Sequence, residues 1–365
     1  MNIVRSKRWK PADWWLIIGV SILSLFGLVM VYDSSVAIAI RDFSNQYYFV
    51  REQAKWLILG SIACFIFSII DYHVWRKFAL PLLLATIVLL LVVFIPGVGV
   101  YALGARRWIN MGLFVLQPAE LAKLVLVIYL SAWFIQPEKK RLGAFLLLVG
   151  AVVGLVLIEP DLGTSVIILG IAFVLYFLSG APAYQFLLLF PILTSMLVGL
   201  AVVSPYRFRR LTTFLNSELD PQGASYQIRQ ILLALGSGGL FGVGLGRSRQ
   251  KYEYLPEANT DSIFAIIGEE IGFIGALAVI LMFLFVIWRG FRIAKRAPDL
   301  FGRMLALGIS SWIAIQTSIN LASAVALVPF TGVPLPLISY GGSSLIILLS
   351  AIGILLNISR QGQKI

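Results

Sequence analysis

The sequence has little charge for its length: of 365 residues, 13% are charged and 59% are hydrophobic. Soluble domains carry about 25% charged residues, and the mean hydropathy here is +0.93, so a soluble globular fold is excluded. Apolar segments of about ten residues with a period of two, which would indicate a membrane β-barrel, are also missing. Apolar runs of roughly 20 residues recur instead, each long enough to cross a bilayer as a helix.

Cysteine and histidine are almost absent, with one residue of each, Cys64 and His73. A single cysteine forms no intrachain disulfide, and its place in an apolar run predicts a packing role. A lone histidine has no partners for a metal site, so we expect His73 at a surface or an interface. Neither a Walker A motif nor a G-x-G-x-x-G fingerprint is present, and a nucleotide-powered pump therefore has no support.

The apolar windows predict about ten transmembrane helices. They lie near 14–33, 54–70, 76–96, 116–136, 142–158, 163–180, 183–203, 263–288, 303–328 and 337–357. We therefore expect an all-α polytopic membrane protein with a single membrane domain over 1–365 and one large extracytoplasmic loop at 204–262. The first run lacks a clear small-residue cleavage site and is expected to stay as a signal anchor.

Basic residues are distributed unevenly around these spans. An even number of spans places both termini on one side, and the segments on that side carry the whole net charge of +12. The positive-inside rule then predicts that both termini are cytoplasmic. Because the sequence pI of about 9.9 has this topological explanation, we expect no nucleic-acid partner.

Polar residues recur at the outer ends of spans, where burying them is expensive. Glu120 and Lys123 follow a proline and stand three residues apart on one helix face, which predicts either a structural ion pair or the wall of a polar cavity. Asp161 lies in a very short turn between two spans. It either caps the following helix or contacts a metal or substrate in an outer cavity.

The densest polar segment is 242–261, which mixes basic, acidic and aromatic residues immediately before an apolar helix. Asp261 stands at the mouth of that helix, where low dielectric would make its carboxylate a better base; the alternative is a helix N-cap. Glu269 and Glu270 follow within the same span. Because they are adjacent on a helix, we predict that at most one of them points inward.

The last outer turn, 329–344, contains three prolines and three glycines at membrane depth. Irregular backbone is tolerated there only against protein or a wet cavity. We therefore predict a re-entrant segment that lines a cavity.

These segments, in this order, resemble the SEDS (shape, elongation, division and sporulation) family of polytopic peptidoglycan glycosyltransferases, which includes FtsW and RodA. The motifs that carry the resemblance are Gly104–Trp108 with Gln117–Lys123, Glu159–Thr164, Gly244–Gly268 and Thr331–Ser344. The stretch 248–258 is more similar to FtsW than to RodA. The chain departs from the family at Asn259 and Ser262, where histidine and phenylalanine are usual, and many FtsW proteins have lysine at the position of Thr331.

The resemblance implies an inverting transfer that polymerises lipid II at the outer face of the bacterial cytoplasmic membrane, for septal cell-wall synthesis. Asp261 would be the catalytic base. The residues expected to contact or enclose substrate are Arg106, Arg107, Glu120, Lys123, Asp161, Arg249, Lys251, Glu253, Glu257, Ser339 and Ser343. Arg249 and Lys251, with a divalent cation (Mg²⁺ or Mn²⁺), would stabilise the leaving pyrophosphate; no organic cofactor is expected.

The partner that the resemblance implies is a class B penicillin-binding protein, a transpeptidase, together with other divisome or elongasome membrane proteins. Two other functions fit a polar cavity between helices. A lipid II flippase or other transporter would move substrate without forming glycan, and a non-catalytic scaffold for the penicillin-binding protein would tolerate loss of Asp261.

Overall fold

The computed structural model describes residues 11–362, apart from 103, 113–114, 137–140, 253 and most of 188–223. The helices are α1 (Trp14–Phe43), α2 (Tyr48–Ile69), α3 (His73–Val92), α4 (Pro118–Phe134), α5 (Leu142–Ile158), α6 (Leu162–Leu178), α7 (Ala224–Gly238), α8 (Ile263–Lys295), α9 (Leu300–Ala324) and α10 (Gly342–Gln361). The strands are β1 (Gly99–Ala102), β2 (Ala105–Asn110) and β3 (Val115–Leu116).

The predicted polytopic helical architecture is confirmed. Every predicted span coincides with a helix except 183–203, which lies mainly outside the described residues. Within the described part of the chain, α1, α2, α3, α8, α9 and α10 are long and apolar enough to cross a membrane. The first helix runs on to Phe43, past its predicted end at 33, because a hydropathy window reports membrane thickness and not where backbone hydrogen bonding stops.

The core lies where α4, α9 and α10 pack together. Most side chains of these three helices are buried, whereas α2 and α3 bury only three and four residues. The fourth helix contacts α3, α6 and α9, and α10 lies along α2. This arrangement places α4, α9 and α10 in the interior, where their polar residues face protein.

Polar contacts join the helix ends on the side predicted to be cytoplasmic. Asp13 caps α1 and pairs with Arg289 of α8. His73 lies between two carboxylates, 2.6 Å from Asp71 and 2.7 Å from Asp299. The expected interface role of His73 is therefore confirmed.

A small antiparallel sheet, which the sequence analysis did not predict, stands between α3 and α4. Its order is β1-β2-β3, with Gly99 opposite Ile109 and Ala102 opposite Ala105. The strands have two to six residues. Elements this short escape a search for long apolar runs, since they give no periodic signal of useful length.

The predicted loop 204–262 is not wholly irregular. It contains the 15-residue helix α7, which packs against α8 and α9. This helix buries Ile231 and Ala234 while Leu232 and Leu233 stay exposed. The apolar windows do not detect this helix, because α7 is stabilised by docking on α8 and α9, which local hydropathy does not reveal.

The long helix α8 is broken at Gly272, whose backbone angles are φ 73° and ψ −172°. The segment that follows α7 runs along the break and bonds to it on both sides. The backbone amides of Val243 and Gly244 donate to the backbone carbonyls of Glu269 and Glu270, both at 3.0 Å. The backbone amide of residue 273 donates to the carbonyl of residue 239 at 2.9 Å. The break therefore anchors the segment that leads to Asp261.

Candidate active site

Asp261 lies in a turn held by the re-entrant segment. Asn320 of α9 donates through its amide to the backbone oxygens of Asp261 at 3.0 Å and Val333 at 2.7 Å. Ser339 Oγ donates to the Thr260 oxygen at 2.5 Å. The amide of Tyr340 donates to the Asn259 oxygen at 2.9 Å. The third and fourth sequence motifs are thus bonded to each other at Asp261.

The N-cap of α8 is Ser262 and not Asp261. The alternative reading of Asp261 as a helix cap was therefore wrong, because the turn continues for one more residue before the helix begins. Ser262 is fully buried, and Asp261 is partly exposed beside it. Asp261 therefore lies at the mouth of the helix, as the sequence predicts.

Glu120 and Lys123 form a buried ion pair on α4. Lys123 Nζ lies 2.7 Å from Glu120 Oε1 and 3.0 Å from the side-chain oxygen of Gln316. Glu120, Ser339 and residues 334–337 line a cavity of about 10 Å³, near the lower limit for one water. The structural ion pair is confirmed, whereas contact of this pair with a polar substrate stays a prediction, since the cavity that Glu120 lines has room for about one water.

Asp161 caps α6 by accepting hydrogen bonds from the Thr164 amide at 3.0 Å and the Thr164 hydroxyl at 2.8 Å. This is the capping role that the sequence analysis gave as one alternative. Its second carboxylate oxygen also accepts from the Gln117 side chain at 3.1 Å. The backbone amide of Gln117 donates to Ser343 Oγ, and this hydroxyl in turn donates to the Val115 carbonyl at 2.6 Å. The first, second and fourth motifs therefore also meet.

Arg107 lies on β2 and holds the α5–α6 turn. Its guanidinium donates to the carbonyls of Glu159 at 3.0 Å and Pro160 at 2.7 Å. Arg106, the preceding residue on the strand, is half-buried. The register between β1 and β2 shifts here, with Tyr101 opposite Arg106 and Val100 opposite Trp108, so Arg107 is the extra residue between these two pairs.

Glu159, absent from the predicted site residues, is fully buried, and neither carboxylate oxygen has a hydrogen-bond partner among the described residues. Burial and, to a smaller extent, the charge of Asp161 raise the pKa of this carboxyl to about 8, while Arg107 partly opposes the shift. A charged residue in a two-helix turn was the only signal available from the sequence.

Glu269 and Glu270 are both buried and both bind the loop that follows α7. Glu269 accepts from Ser248 Oγ at 2.5 Å and from the Arg249 amide at 3.0 Å. Glu270 accepts from the amides of residues 246 and 248 and from Lys251 Nζ at 2.9 Å. The prediction that at most one would point inward was wrong, because the loop wraps around α8 and reaches both.

The side chains of two other predicted site residues, Arg249 and Glu257, are exposed. Arg249 is exposed, although its amide is fixed by Glu269. Glu257 is exposed and accepts from Thr260 Oγ1 at 2.8 Å within its own turn. Glu253 lies outside the described residues. Among the residues that the structure describes, no group of three or more His, Cys, Asp or Glu side chains could hold a metal ion.

Comparison with known proteins gives a family that agrees with this geometry. The family model described as "Cell cycle protein", covering FtsW, RodA and SpoVE, matches residues 13–364. The chain belongs to the FtsW/RodA/SpoVE family. The resemblance drawn from the four motifs is thereby confirmed, and the motifs are the segments that the fold brings together.

Similar members of this family include proteins of division and sporulation. Stage V sporulation protein E of Bacillus subtilis (strain 168) is 43% identical over 98% of this chain and 99% of its own length. The "Probable peptidoglycan glycosyltransferase FtsW" of Geobacter sp. (strain M18) is 41% identical over 93% of this chain and 94% of its own length.

Solved structures of the family share the fold. A chain from a structure titled "Structural coordination of polymerization and crosslinking by a peptidoglycan synthase complex" has a TM-score of 0.79 and 30% identity, covering 96% of this chain and 98% of that chain. The rod shape determining protein RodA of Thermus thermophilus has a TM-score of 0.71 and 29% identity, covering 97% and 98%. The identities with the FtsW and SpoVE relatives are higher than those with RodA, in agreement with the motif at 248–258.

Proposed function

We propose that this protein is a peptidoglycan glycosyltransferase that polymerises lipid II into glycan strands for septal wall synthesis. The observation that carries the proposal is that all four motifs meet at one end of α4, α6, α9 and α10, the end predicted to be outside. Asn320 and Ser339 hold the turn that carries Asp261 there, by hydrogen bonds to the backbone oxygens of Asp261 and Thr260. The names of the FtsW relatives support the same activity.

In the proposed reaction Asp261 accepts the proton of the acceptor's GlcNAc 4-hydroxyl. The oxygen then attacks the MurNAc anomeric carbon of the donor as the bond to undecaprenyl pyrophosphate breaks, with inversion at that carbon. General-base assistance is worth about 10²–10⁴-fold. A base at a partly exposed turn can meet a hydroxyl from the outer aqueous side.

The leaving pyrophosphate needs positive charge at the same face. Arg249 is exposed there and its backbone is held by Glu269, so its guanidinium is available to an anion. Arg106 is the second candidate. We also propose that Mg²⁺ or Mn²⁺ helps to stabilise the leaving pyrophosphate. The described residues offer no cluster of ligands for such an ion, and the reaction above does not depend on it.

The proposed partner is a class B penicillin-binding protein. The support is the structural similarity to a chain from a complex whose title couples polymerisation with crosslinking. We also propose that the protein lies in the bacterial cytoplasmic membrane with both termini in the cytoplasm, on the strength of the charge distribution. A flippase and a scaffold are the alternatives that the experiment below separates from an enzyme.

The test is polymerisation of purified lipid II by the detergent-solubilised protein, with and without its transpeptidase. We expect wild type to form glycan strands on a gel and Asp261→Asn to lose them. The matched control is Asp42→Asn, since Asp42 is an exposed carboxylate paired with Arg41 at the end of α1, and it should polymerise normally. Wild-type activity in folded Asp261→Asn protein would refute the base assignment, and strands from neither protein would favour transport or scaffolding.

A further inference from the structure

Lys251 was expected to contact pyrophosphate, but its ammonium is already bound. Its Nζ lies 2.8 Å from Asp33 Oδ1 and 2.9 Å from Glu270 Oε1, and its side chain is 5% exposed. Burial alone would lower the pKa of Lys251, but the hydrogen bonds to the two carboxylates outweigh burial and raise it. A buried cation that is neutralised by two carboxylates is a poor ligand for a further anion.

The ion pair joins three separate parts of the molecule. Asp33 belongs to α1, Glu270 belongs to α8, and Lys251 belongs to the loop between α7 and α8. The same loop is fixed to α8 through its backbone amides at 246, 248 and 249. The bond to Asp33 ties the loop to α1.

The loop is continuous with the turn that carries Asp261. The amide of Leu255 donates to the Gln250 oxygen at 3.0 Å, and Leu255 is buried. The amides of Thr260 and Ser262 then donate to the Glu257 oxygen. Two hydrogen-bonded turns therefore connect Lys251 with Asp261 along the chain.

The first helix also touches the other support of Asp261. At Gly27 it packs so closely on the re-entrant segment that a Cβ would lie 2.6 Å from Ile338 Cα and 2.7 Å from the Leu337 oxygen. Ser339, next along that segment, bonds to Thr260. Thus α1 contacts both segments between which Asp261 is held, one by close packing and one by the ion pair.

We propose that Asp33 and Lys251 are positioning residues, whose ion pair sets the place of the Asp261 turn relative to α1, and that Lys251 does not bind pyrophosphate. This inference rests on the proposed glycan polymerisation at Asp261. It predicts that α1 governs turnover rather than substrate binding. Misplacement of a catalytic group by about 1 Å costs about 10²-fold in rate.

The experiment compares Asp33→Asn, Lys251→Gln and the double variant with wild type, as full-length protein with lipid II. We expect each single variant to lower kcat by about 10- to 100-fold at nearly unchanged KM. The double variant should be no worse than Lys251→Gln, because it removes a carboxylate that the lysine no longer neutralises. Inhibition by added inorganic pyrophosphate should be unchanged in Lys251→Gln.

A direct pyrophosphate ligand would behave differently. Asp33→Asn would leave the ammonium with one neutralising carboxylate, Glu270, and lower KM. Lys251→Gln would raise KM and weaken inhibition by pyrophosphate, and the double variant would show the same raised KM as Lys251→Gln. Either pattern would overturn the proposal. Asp33→Asn decides the matter even if Lys251→Gln fails to fold, since it leaves the bond between Lys251 and Glu270 intact.

Hydrogen exchange gives a measure that does not depend on activity. Amides of 246–252 should exchange several-fold faster in Asp33→Asn than in wild type. The matched control is Glu52→Gln with Lys55→Gln, which removes an exposed 2.6 Å ion pair on α2 and should change neither exchange nor turnover. Unchanged amide exchange in Asp33→Asn would refute the proposal that the ion pair holds the loop against α1. Faster exchange in Asp33→Asn, together with a wild-type protein that forms no glycan strands, would refute only the proposed function.

Discussion

At the scale of single residues, Glu159 stands out because it is fully buried and its carboxylate has no hydrogen-bond partner in the part of the chain that the structure describes. A carboxyl in such a place keeps its proton, since the charged form loses its hydration. With a pKa raised from 4.5 to about 8, Glu159 is neutral in the folded protein at pH 7 and ionised in the unfolded chain. Folding stability therefore falls as pH rises from about 4.5 to about 8.

The variant Glu159→Gln tests this account. It keeps the size of the side chain and cannot ionise, so we expect a higher melting temperature than wild type at pH 8 and almost the same value at pH 5. Each unit of pH between the two pKa values costs the wild type up to about 1.4 kcal/mol. Thermal unfolding in detergent at both pH values is the measurement. If Glu159→Gln lowered the melting temperature equally at pH 5 and pH 8, the conclusion that the Glu159 carboxyl is neutral in the folded protein would be wrong.

The buried pair of Glu120 and Lys123 makes a second prediction at this scale. Glu120→Gln leaves the Lys123 charge buried without its counter-ion and should cost about 3–5 kcal/mol of stability. The double variant with Lys123→Met removes that charge too and should recover much of the loss. Thermal unfolding of the two single variants and the double variant checks this, and a double variant less stable than both single variants would show that the charges do not compensate each other.

At the scale of elements, the break in α8 decides how the outer loop is held. Gly272 has backbone angles that only glycine adopts readily, and the segment 239–244 bonds along the break. From the sequence alone α8 is one continuous apolar helix, so Glu269 and Glu270 could not be expected to share a loop. The sequence also does not predict α7 and the small sheet, because packing on other elements stabilises them.

The substitution Gly272→Ala tests the importance of the break. Its Cβ would meet the backbone at Gly242 and Leu240, and the conformation costs a non-glycine residue about 1–3 kcal/mol. We expect a lower melting temperature and reduced polymerisation. The control is Gly150→Ala in α5, where a Cβ meets nothing within 4 Å. Equal stability of the two variants would show that the break tolerates a side chain.

At the scale of the whole molecule, the predicted orientation places the sheet outside and the α2–α3 turn inside. In a Cys64→Ala background, Met111→Cys and Lys77→Cys each put a thiol at an exposed position on opposite sides. We expect a membrane-impermeant maleimide to label Met111→Cys in intact spheroplasts and to label Lys77→Cys only after lysis. The reverse pattern would invert the topology, and with it the proposed outer position of Asp261.

The sequence by itself determined the spans, the charge asymmetry and the family motifs. The cost of placing a residue in lipid is local and additive, so a window of about 20 residues is enough to detect a span. The same is true of charge counted on each side, and motifs are local by definition. These features required no knowledge of which helix packs on which.

The tertiary structure alone decided which polar groups meet. Asn320 reaches the Asp261 carbonyl, and Lys251 reaches Asp33 rather than open solvent, across separations in sequence that no local pattern encodes. A buried polar group must find a partner wherever packing brings one. For that reason Lys251, which looked like an anion ligand in the sequence, lies in an ion pair between α1 and the loop that leads to Asp261.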